Sequence, residues 1–161
     1  DNGETINGSC VFNITDTTKK PHEERLHDLV KASGLGVNFL LKNGQMPNGK
    51  IQPELIERLH WMGDWLKTYG ESIYNTKAGY IHPQSWGCIT QKEGKVFVYV
   101  FDNNATSVTL ENFPFKQITK AYLLKDKSPV KAQLNNATLT VNTISRGSDE
   151  LDQVIVLEVK N

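Results

Sequence analysis

Cysteine and histidine are the side chains that most often bind structural zinc in proteins. The 161-residue chain holds two cysteines and four histidines. Cys10 and Cys88 lie far apart, without a CxxC or Cys/His spacing, so the sequence predicts no structural zinc site. Two buried apolar thiols are the favoured interpretation, and a disulfide between them stays open. The histidines share no spacing with acidic residues, so we expect no metal site and no cofactor. They are His22, His27, His60 and His82.

Asparagine offers a second chemistry, as the acceptor of N-linked glycans. The pattern Asn-x-Ser/Thr marks such acceptors, and they matter only in a protein that passes through a eukaryotic secretory route. Because the chain is rich in Asn and Thr, some matches are expected by chance. The matching asparagines are Asn7, Asn13, Asn104 and Asn136.

The charge balance and the apolar runs exclude two classes of partner. The chain has 18 Lys+Arg against 18 Asp+Glu, and binding to nucleic acid needs a basic excess, so no nucleic acid is expected. No apolar run reaches the roughly 18 residues of a membrane span, so no membrane partner is expected either. The N-terminal residues DNGETINGSC hold no basic stretch followed by an apolar one, which predicts no signal peptide in this chain.

Residues 1–76 read as helix, strand and helix. The segment PHEERLHDLVKASG predicts a helix that begins near Pro21 and ends at Gly34. The apolar run VNFLL, residues 37–41, predicts a strand buried on both faces, as in a parallel sheet. A second helix is predicted from Pro53 to Gly70, after a loop rich in Asn and Gly. Its apolar stripe consists of Leu55, Leu59, Met62, Leu66 and Tyr69, of which we expect the first four to pack against Phe39 and Leu41.

Residues 77–161 change to a period of two. In KVFVYVF, three valines alternate with aromatic residues, which places Val96, Val98 and Val100 on one face of a strand. The short runs SVTLEN, QITKAYLLKD, VKAQL, ATLTVNT and QVIVLEVK follow, with turn residues between them. Many short strands without intervening helices predict an antiparallel β-sandwich, of roughly seven strands over residues 84–161.

The join between the two parts carries a recognisable pattern. The segment NFLLKNGQMPNGKIQPELIERLHWMGDWLKTYGESIYNT resembles the last strand and helix of the catalytic barrel in glycoside hydrolase family 29 α-L-fucosidases. HPQSWGCITQKEGKVFVYVFD resembles the first hairpin of that family's C-terminal β-sandwich. The motifs GDWL, GESIY and P-Q-x-W-G carry the likeness together. It implies an α+β fold, with the last βα segment of a (β/α)8-type barrel over residues 1–76 and an antiparallel β-sandwich over residues 77–161.

The resemblance implies that the chain is the C-terminal portion of a retaining glycoside hydrolase that releases L-fucose from fucosylated glycans. In such enzymes one carboxylate is the nucleophile and a second acts as acid, then base. The family's nucleophile strand has no counterpart in this sequence, so the chain alone is expected to be inactive. Its implied partners are fucosylated glycans and the N-terminal barrel, and its implied location is secreted or periplasmic.

Glu4 is the implied acid/base residue of this family pattern. The family's glutamate lies shortly before a T-x-N-x-S-W-G-Y-like segment, which here reads TINGSCVFN. Asp1 lies closer to the expected position but is the wrong residue type. Phe12 is the candidate apolar wall for the fucose methyl group, with core packing as the alternative. The loop 43–48 is expected near the site because it follows a barrel strand. In this segment Cys10 stands where the family has Trp.

Three tryptophans and an alternative function complete the expectations. Trp61, Trp65 and Trp86 have rings that stack on sugars. Packing between helix and sandwich is the favoured interpretation for Trp61 and Trp65, and Trp86 is expected to pack at the joint between the two parts. The alternative to an enzyme is a non-catalytic carbohydrate-binding or structural β-sandwich module from a truncated or degenerate homologue. A free-standing binding module would not need VNFLL and a docking helix, which favours the enzyme.

Overall fold

The computed structural model describes the backbone of residues 2–5 and, with side chains, residues 21–102, 104–144 and 153–160. Its first elements form a strand–helix–strand unit: β1 (Asn2–Thr5), α1 (His22–Leu35) and β2 (Phe39–Lys42). β1 and β2 are parallel neighbours, with Glu4 opposite Leu41. A parallel pair needs a crossover connection, and α1 lies within it. β1 was missed in the sequence, because NGET is short, polar and without alternation.

Two details of this unit differ from the sequence-based expectation. The predicted end of α1 at Gly34 is wrong: the helix runs to Leu35, and Gly36 caps it in the left-handed conformation at φ 67°. Gly34 instead lets α1 approach the sheet, since a Cβ there would lie 3.1 Å from the Cys88 sulfur. The expectation of a strand buried on both faces is also wrong, because Leu40 in β2 is 52% exposed.

The second helix has the predicted bounds. α2 spans Pro53–Tyr69, with Pro at its first position and Gly70 as its C-cap, and a short 3-10 turn, Gly70–Ser72, follows. The predicted stripe divides between two environments. Leu66 and Tyr69 pack in a core with the sheet described below, whereas Met62 lines a pocket with Leu41.

The remaining strands form two antiparallel sheets, as predicted. The larger has the order β3-β4-β5-β10-β7 and the smaller β6-β9-β8. Among the described residues, seven strands fall between residues 84 and 161, and β3 joins the larger sheet ahead of them. The strands are β3 (Lys77–Ala78), β4 (Gly87–Lys92), β5 (Lys95–Val100), β6 (Ser107–Leu110), β7 (Gln117–Leu123), β8 (Ala132–Asn135), β9 (Thr138–Asn142) and β10 (Gln153–Lys160).

The helices, the larger sheet and the smaller sheet form three layers. One apolar core lies on each face of the larger sheet. Val96, Val98 and Val100 point together toward the smaller sheet, which confirms their predicted common face. Phe97 and Tyr99 point the other way and pack with side chains of α1 and α2. The central strands are therefore apolar on both faces of the larger sheet. One face packs against the smaller sheet, and the other packs against the helices.

The GESIY motif attaches the end of α2 to the larger sheet. The buried carbonyl of Ser72 accepts hydrogen bonds from the Tyr99 hydroxyl at 2.6 Å and the Thr90 hydroxyl at 2.7 Å. At the rim, Lys95 donates to Glu71 at 2.6 Å, and this hydrogen bond holds the pKa of Glu71 below its usual value. The motif thus fixes helix to sheet through backbone and side chain together.

Removing the Tyr99 hydroxyl is expected to weaken this attachment. Tyr99→Phe should lower the free energy of unfolding by about 0.5–1.5 kcal/mol, the net value of one buried hydrogen bond whose acceptor keeps a second donor. Urea denaturation measures the loss. Tyr122→Phe is the matched control, since the Tyr122 hydroxyl meets Glu158 at 3.2 Å in a partly buried place. An equal or smaller loss in Tyr99→Phe than in the control would contradict the assigned role.

Candidate functional site

The carboxyl ends of β1 and β2 lie side by side and define the candidate site. Glu4 pairs with Leu41, and Thr5 pairs with Lys42, in the last residues of the two parallel strands. The loop that follows β2 leaves from this edge, which is where α/β folds place their ligands. The backbone of Glu4 is thus at the predicted edge. Asp1, Cys10 and Phe12 lie outside the described residues.

The loop after β2 is built as a tight, closed turn. Gln45 and Ile51 form a β-bridge across its base, and the Met46 amide donates to the Lys50 carbonyl at 2.9 Å. Gly49, at φ 77°, provides the left-handed residue that the turn requires. The Asn43 side-chain oxygen is buried at the start of the loop and has no hydrogen-bond partner within the described part of the chain. A loop fixed in this way holds its polar groups in place beside the strand ends.

A pocket between α1, β2 and α2 adjoins this edge. Its lining includes one deeply buried cation, Arg25, which is 4% exposed and pairs with Glu24 at 2.7 Å and Asp28 at 2.9 Å. A second guanidinium nitrogen, Nη1 of Arg58, is buried without a hydrogen-bond partner among the described residues. The lining residues are His22, Arg25, Leu41, Arg58, Trp61 and Met62. Sequence reasoning missed this pocket, because no spacing relates residues of α1 to residues of α2.

Trp61 and Trp65 pack as the sequence predicts, whereas the prediction for Trp86 is wrong. Trp65 is 9% exposed and lies in the core between the helices and the larger sheet, with its ring 4.9 Å from that of Tyr69. Trp86 packs against the core between the two sheets. Trp61 packs against the helix-side core and lines the pocket, with its ring edge-on to His22 at 5.3 Å. The GDWL and P-Q-x-W-G motifs therefore contribute packing in this structure.

The described residues contain neither a metal-binding cluster nor a membrane-spanning helix. Within residues 21–102, 104–144 and 153–160, no group of three or more His, Cys, Asp or Glu side chains is arranged to hold a metal ion. In the same part of the chain, neither helix is long and apolar enough to cross a bilayer.

Comparison with known sequences connects this architecture to one family. Residues 1–71 match the family model described as Alpha-L-fucosidase. The chain is 30% identical over 118 residues to the tissue alpha-L-fucosidase of Mus musculus, which covers 73% of this chain and 25% of that protein. It is 30% identical over 135 residues to the alpha-L-fucosidase of Branchiostoma floridae, covering 78% of this chain and 30% of the relative. The chain thus spans about a quarter to a third of these relatives.

Comparison with solved structures extends the similarity over nearly the whole chain. Alpha-L-fucosidase isoenzyme 1 from Paenibacillus thiaminolyticus superposes with a TM-score of 0.85 at 25% identity, covering 99% of this chain and 39% of that one. A GH29 alpha-L-fucosidase from Bacteroides thetaiotaomicron, solved as a trapped covalent intermediate, superposes with a TM-score of 0.86 at 21% identity. At this lower identity, the similarity between the Bacteroides thetaiotaomicron enzyme and this chain shows a common fold.

Proposed function

We propose that this chain, which resembles the C-terminal part of the glycoside hydrolase family 29 α-L-fucosidases, is the C-terminal portion of such an enzyme. In this proposal the whole enzyme is a retaining hydrolase that releases L-fucose from fucosylated glycans. The observation that carries it is the match of the full set of layers, strands and helices to a solved fucosidase at a TM-score of 0.85. Secretion or a periplasmic location goes with the proposal.

The parallel β1–β2 pair supports assigning residues 1–76 to the end of a (β/α)8 barrel. Parallel sheets are normally covered on both faces and contain more than two strands. Here one face of β2 carries half-buried Phe39 and Leu41, whereas Leu40 and Lys42 on the other face are exposed. A closed barrel would supply the missing cover and the missing neighbours. The N-terminal barrel is therefore the proposed partner of this segment.

The proposed chemistry divides the reaction between two parts of the enzyme. Retaining hydrolysis needs two carboxyl groups about 5–5.5 Å apart, one to attack the anomeric carbon and one to protonate the leaving oxygen. Glu4, at the carboxyl end of β1, is our candidate for the acid/base. The nucleophile would come from the N-terminal barrel. Phe12 is our candidate for the apolar wall beside the fucose methyl group.

The sandwich has a proposed supporting role in this enzyme. Its larger sheet contacts α1 and α2 through buried Leu26, Val30 and Trp65. Both helices follow the strands whose carboxyl ends form the candidate site. Catalytic groups must be held to a fraction of an ångström, so a rigid support behind the helices is useful. The second candidate function is a structural or carbohydrate-binding module without activity.

The test compares the chain alone with the chain joined to a barrel. We expect no release of phenol from an aryl α-L-fucoside by the 161-residue chain above the level of buffer. Replacing the matched C-terminal part of the Paenibacillus thiaminolyticus enzyme with this chain should give a folded chimera that hydrolyses the fucoside. Turnover by the chain alone would contradict the division of roles. A folded but silent chimera, with fucosylated oligosaccharide bound by the chain alone, would favour the binding module.

A further inference from the structure

A four-residue sequence occurs twice in the sandwich, and the second asparagine of each copy is exposed. In sequence, Asn-Asn-Ala-Thr is found at residues 103–106, between β5 and β6, and at residues 135–138, which run from the last residue of β8 to the first residue of β9. The second asparagine of each copy has Thr two positions later, as N-glycosylation requires. We propose that Asn104 and Asn136 are N-glycan acceptor sites. The inference rests on the proposed secretory route and is independent of the proposed fucosidase activity.

The turn at Asn136 presents its side chain to solvent. Residues 136–138 are all exposed, and Asn136 adopts the left-handed conformation at φ 56°, which asparagine tolerates well. The inward-facing group of this turn is the Ala137 carbonyl, which accepts a hydrogen bond from the Phe113 amide at 2.8 Å. The backbone is therefore anchored while the acceptor side chain projects away, and a glycan fits without any rearrangement.

The turn at Asn104 is built in the same way. Asn104 and Thr106 are exposed, and the backbone around them is fixed by neighbours. The backbone N–H of Asn104 donates to the Asp102 carboxylate at 2.8 Å. The backbone carbonyl of Thr106 accepts a hydrogen bond from the backbone N–H of Thr143 at 3.0 Å. Main-chain groups again satisfy the internal contacts, which leaves the side chain of Asn104 open to modification.

The position of the two turns gives the glycans a physical role. Asn104 lies shortly before β6, and Asn136 directly follows β8, and these are the two edge strands of the smaller sheet. Exposed edges invite pairing with other chains, and charged side chains are a common defence. In β6 and β8 the side chains are uncharged: SVTL and AQLN. Hydrophilic glycans at the ends of these strands would block edge-to-edge association without contacting the helices on the far side of the larger sheet.

The experiment directs the chain, with an added secretion leader, through the secretory pathway of insect cells. Secreted protein is treated with peptide N-glycosidase, which converts each glycosylated Asn to Asp, and peptide mass spectrometry locates the conversions. We expect conversion at Asn104 and at Asn136. In gel electrophoresis, Asn104→Gln and Asn136→Gln should each lack the mobility shift that one glycan causes. Asn135→Gln is the matched control, because this exposed neighbour lies outside the motif and its loss should leave the mobility unchanged.

Unmodified Asn104 or Asn136 in the secreted protein would overturn the proposal for that residue. Protein retained in the cells is analysed in the same way, so poor secretion of a variant does not hide the result. Thermal unfolding gives a second measure. Because both turns project into solvent, the glycosylated chain should unfold at the same temperature as Asn104→Gln/Asn136→Gln, or higher. A lower temperature would show that the glycans disturb the fold, contrary to the exposed geometry.

Discussion

Replacing Gly87 with alanine is expected to abolish the folded sandwich. Gly87 has φ 151°, and a Cβ there would overlap the carbonyl oxygen of Tyr99 and lie 2.9 Å from its carbonyl carbon. Tyr99 is fully buried in β5 and cannot move aside without breaking both cores. We therefore expect a loss above about 4 kcal/mol, in the range reserved for severe core and backbone defects. Circular dichroism and urea denaturation measure it.

A second glycine with positive φ provides the control for Gly87→Ala. Gly94 has φ 70° in the β4–β5 turn, and a Cβ there would meet nothing within 4 Å. Gly94→Ala should lower the free energy of unfolding by about 1–2 kcal/mol, which is the cost of placing alanine in the left-handed conformation. If Gly87→Ala and Gly94→Ala lower the free energy of unfolding by amounts that agree within about 1 kcal/mol, the positive φ alone would explain both losses. The proposed overlap with Tyr99 would then be wrong.

This glycine also explains why one motif of the resemblance is informative. In P-Q-x-W-G, the Gln84 amide donates to the Gly87 carbonyl at 2.7 Å, and the Phe101 amide donates to the Trp86 carbonyl at 2.8 Å. The motif therefore builds the entry of β4 into the larger sheet. GESIY attaches the end of α2 through the Ser72 carbonyl. Both motifs lie where the two parts of the chain are joined. They therefore provide more direct evidence for the fold than for the chemistry.

The elements with a strong local pattern were predictable, and those set by distant partners were not. Alternation in KVFVYVF and Pro53 at a helix start depend on neighbouring residues, and both predictions are confirmed. β1 has no such pattern and exists through pairing with β2, more than thirty residues later in the chain. The exposure of Leu40 likewise depends on what covers the sheet. Pairing and cover are properties of the assembled fold.

The candidate site was predictable in location but not in lining. The family pattern implied a site role for Glu4, and the rule for strand ends implied one for the loop 43–48. The structure brings the backbone of Glu4 beside the strand that precedes this loop, and the role of Glu4 stays a prediction. The pocket with Arg25 and Arg58 depends on how α1 and α2 pack, which no spacing within either helix reveals. The role of Phe12 stays a prediction.

Replacing Glu4 with glutamine in the chimera described above is expected to lower fucosidase activity by about 10²–10⁴-fold, the usual contribution of a general acid/base. Glutamine keeps the shape of the side chain but cannot transfer a proton. The loss should be larger for a fucosylated glycan than for an aryl fucoside, because an aryl leaving group departs without protonation. Asp1→Asn is the control, since Asp1 is the other carboxylate near this position and should be nearly neutral.

The dependence on added azide separates an acid/base role for Glu4 from a structural one. In a retaining enzyme the second step needs a base to activate water, and azide attacks the glycosyl-enzyme without one. Azide should therefore restore turnover of the aryl fucoside by Glu4→Gln and yield a fucosyl azide, with little effect on the parent chimera. An equal loss on both substrates without azide rescue would indicate that Glu4 only supports the fold. Loss and rescue in Asp1→Asn instead would move the acid/base role to Asp1.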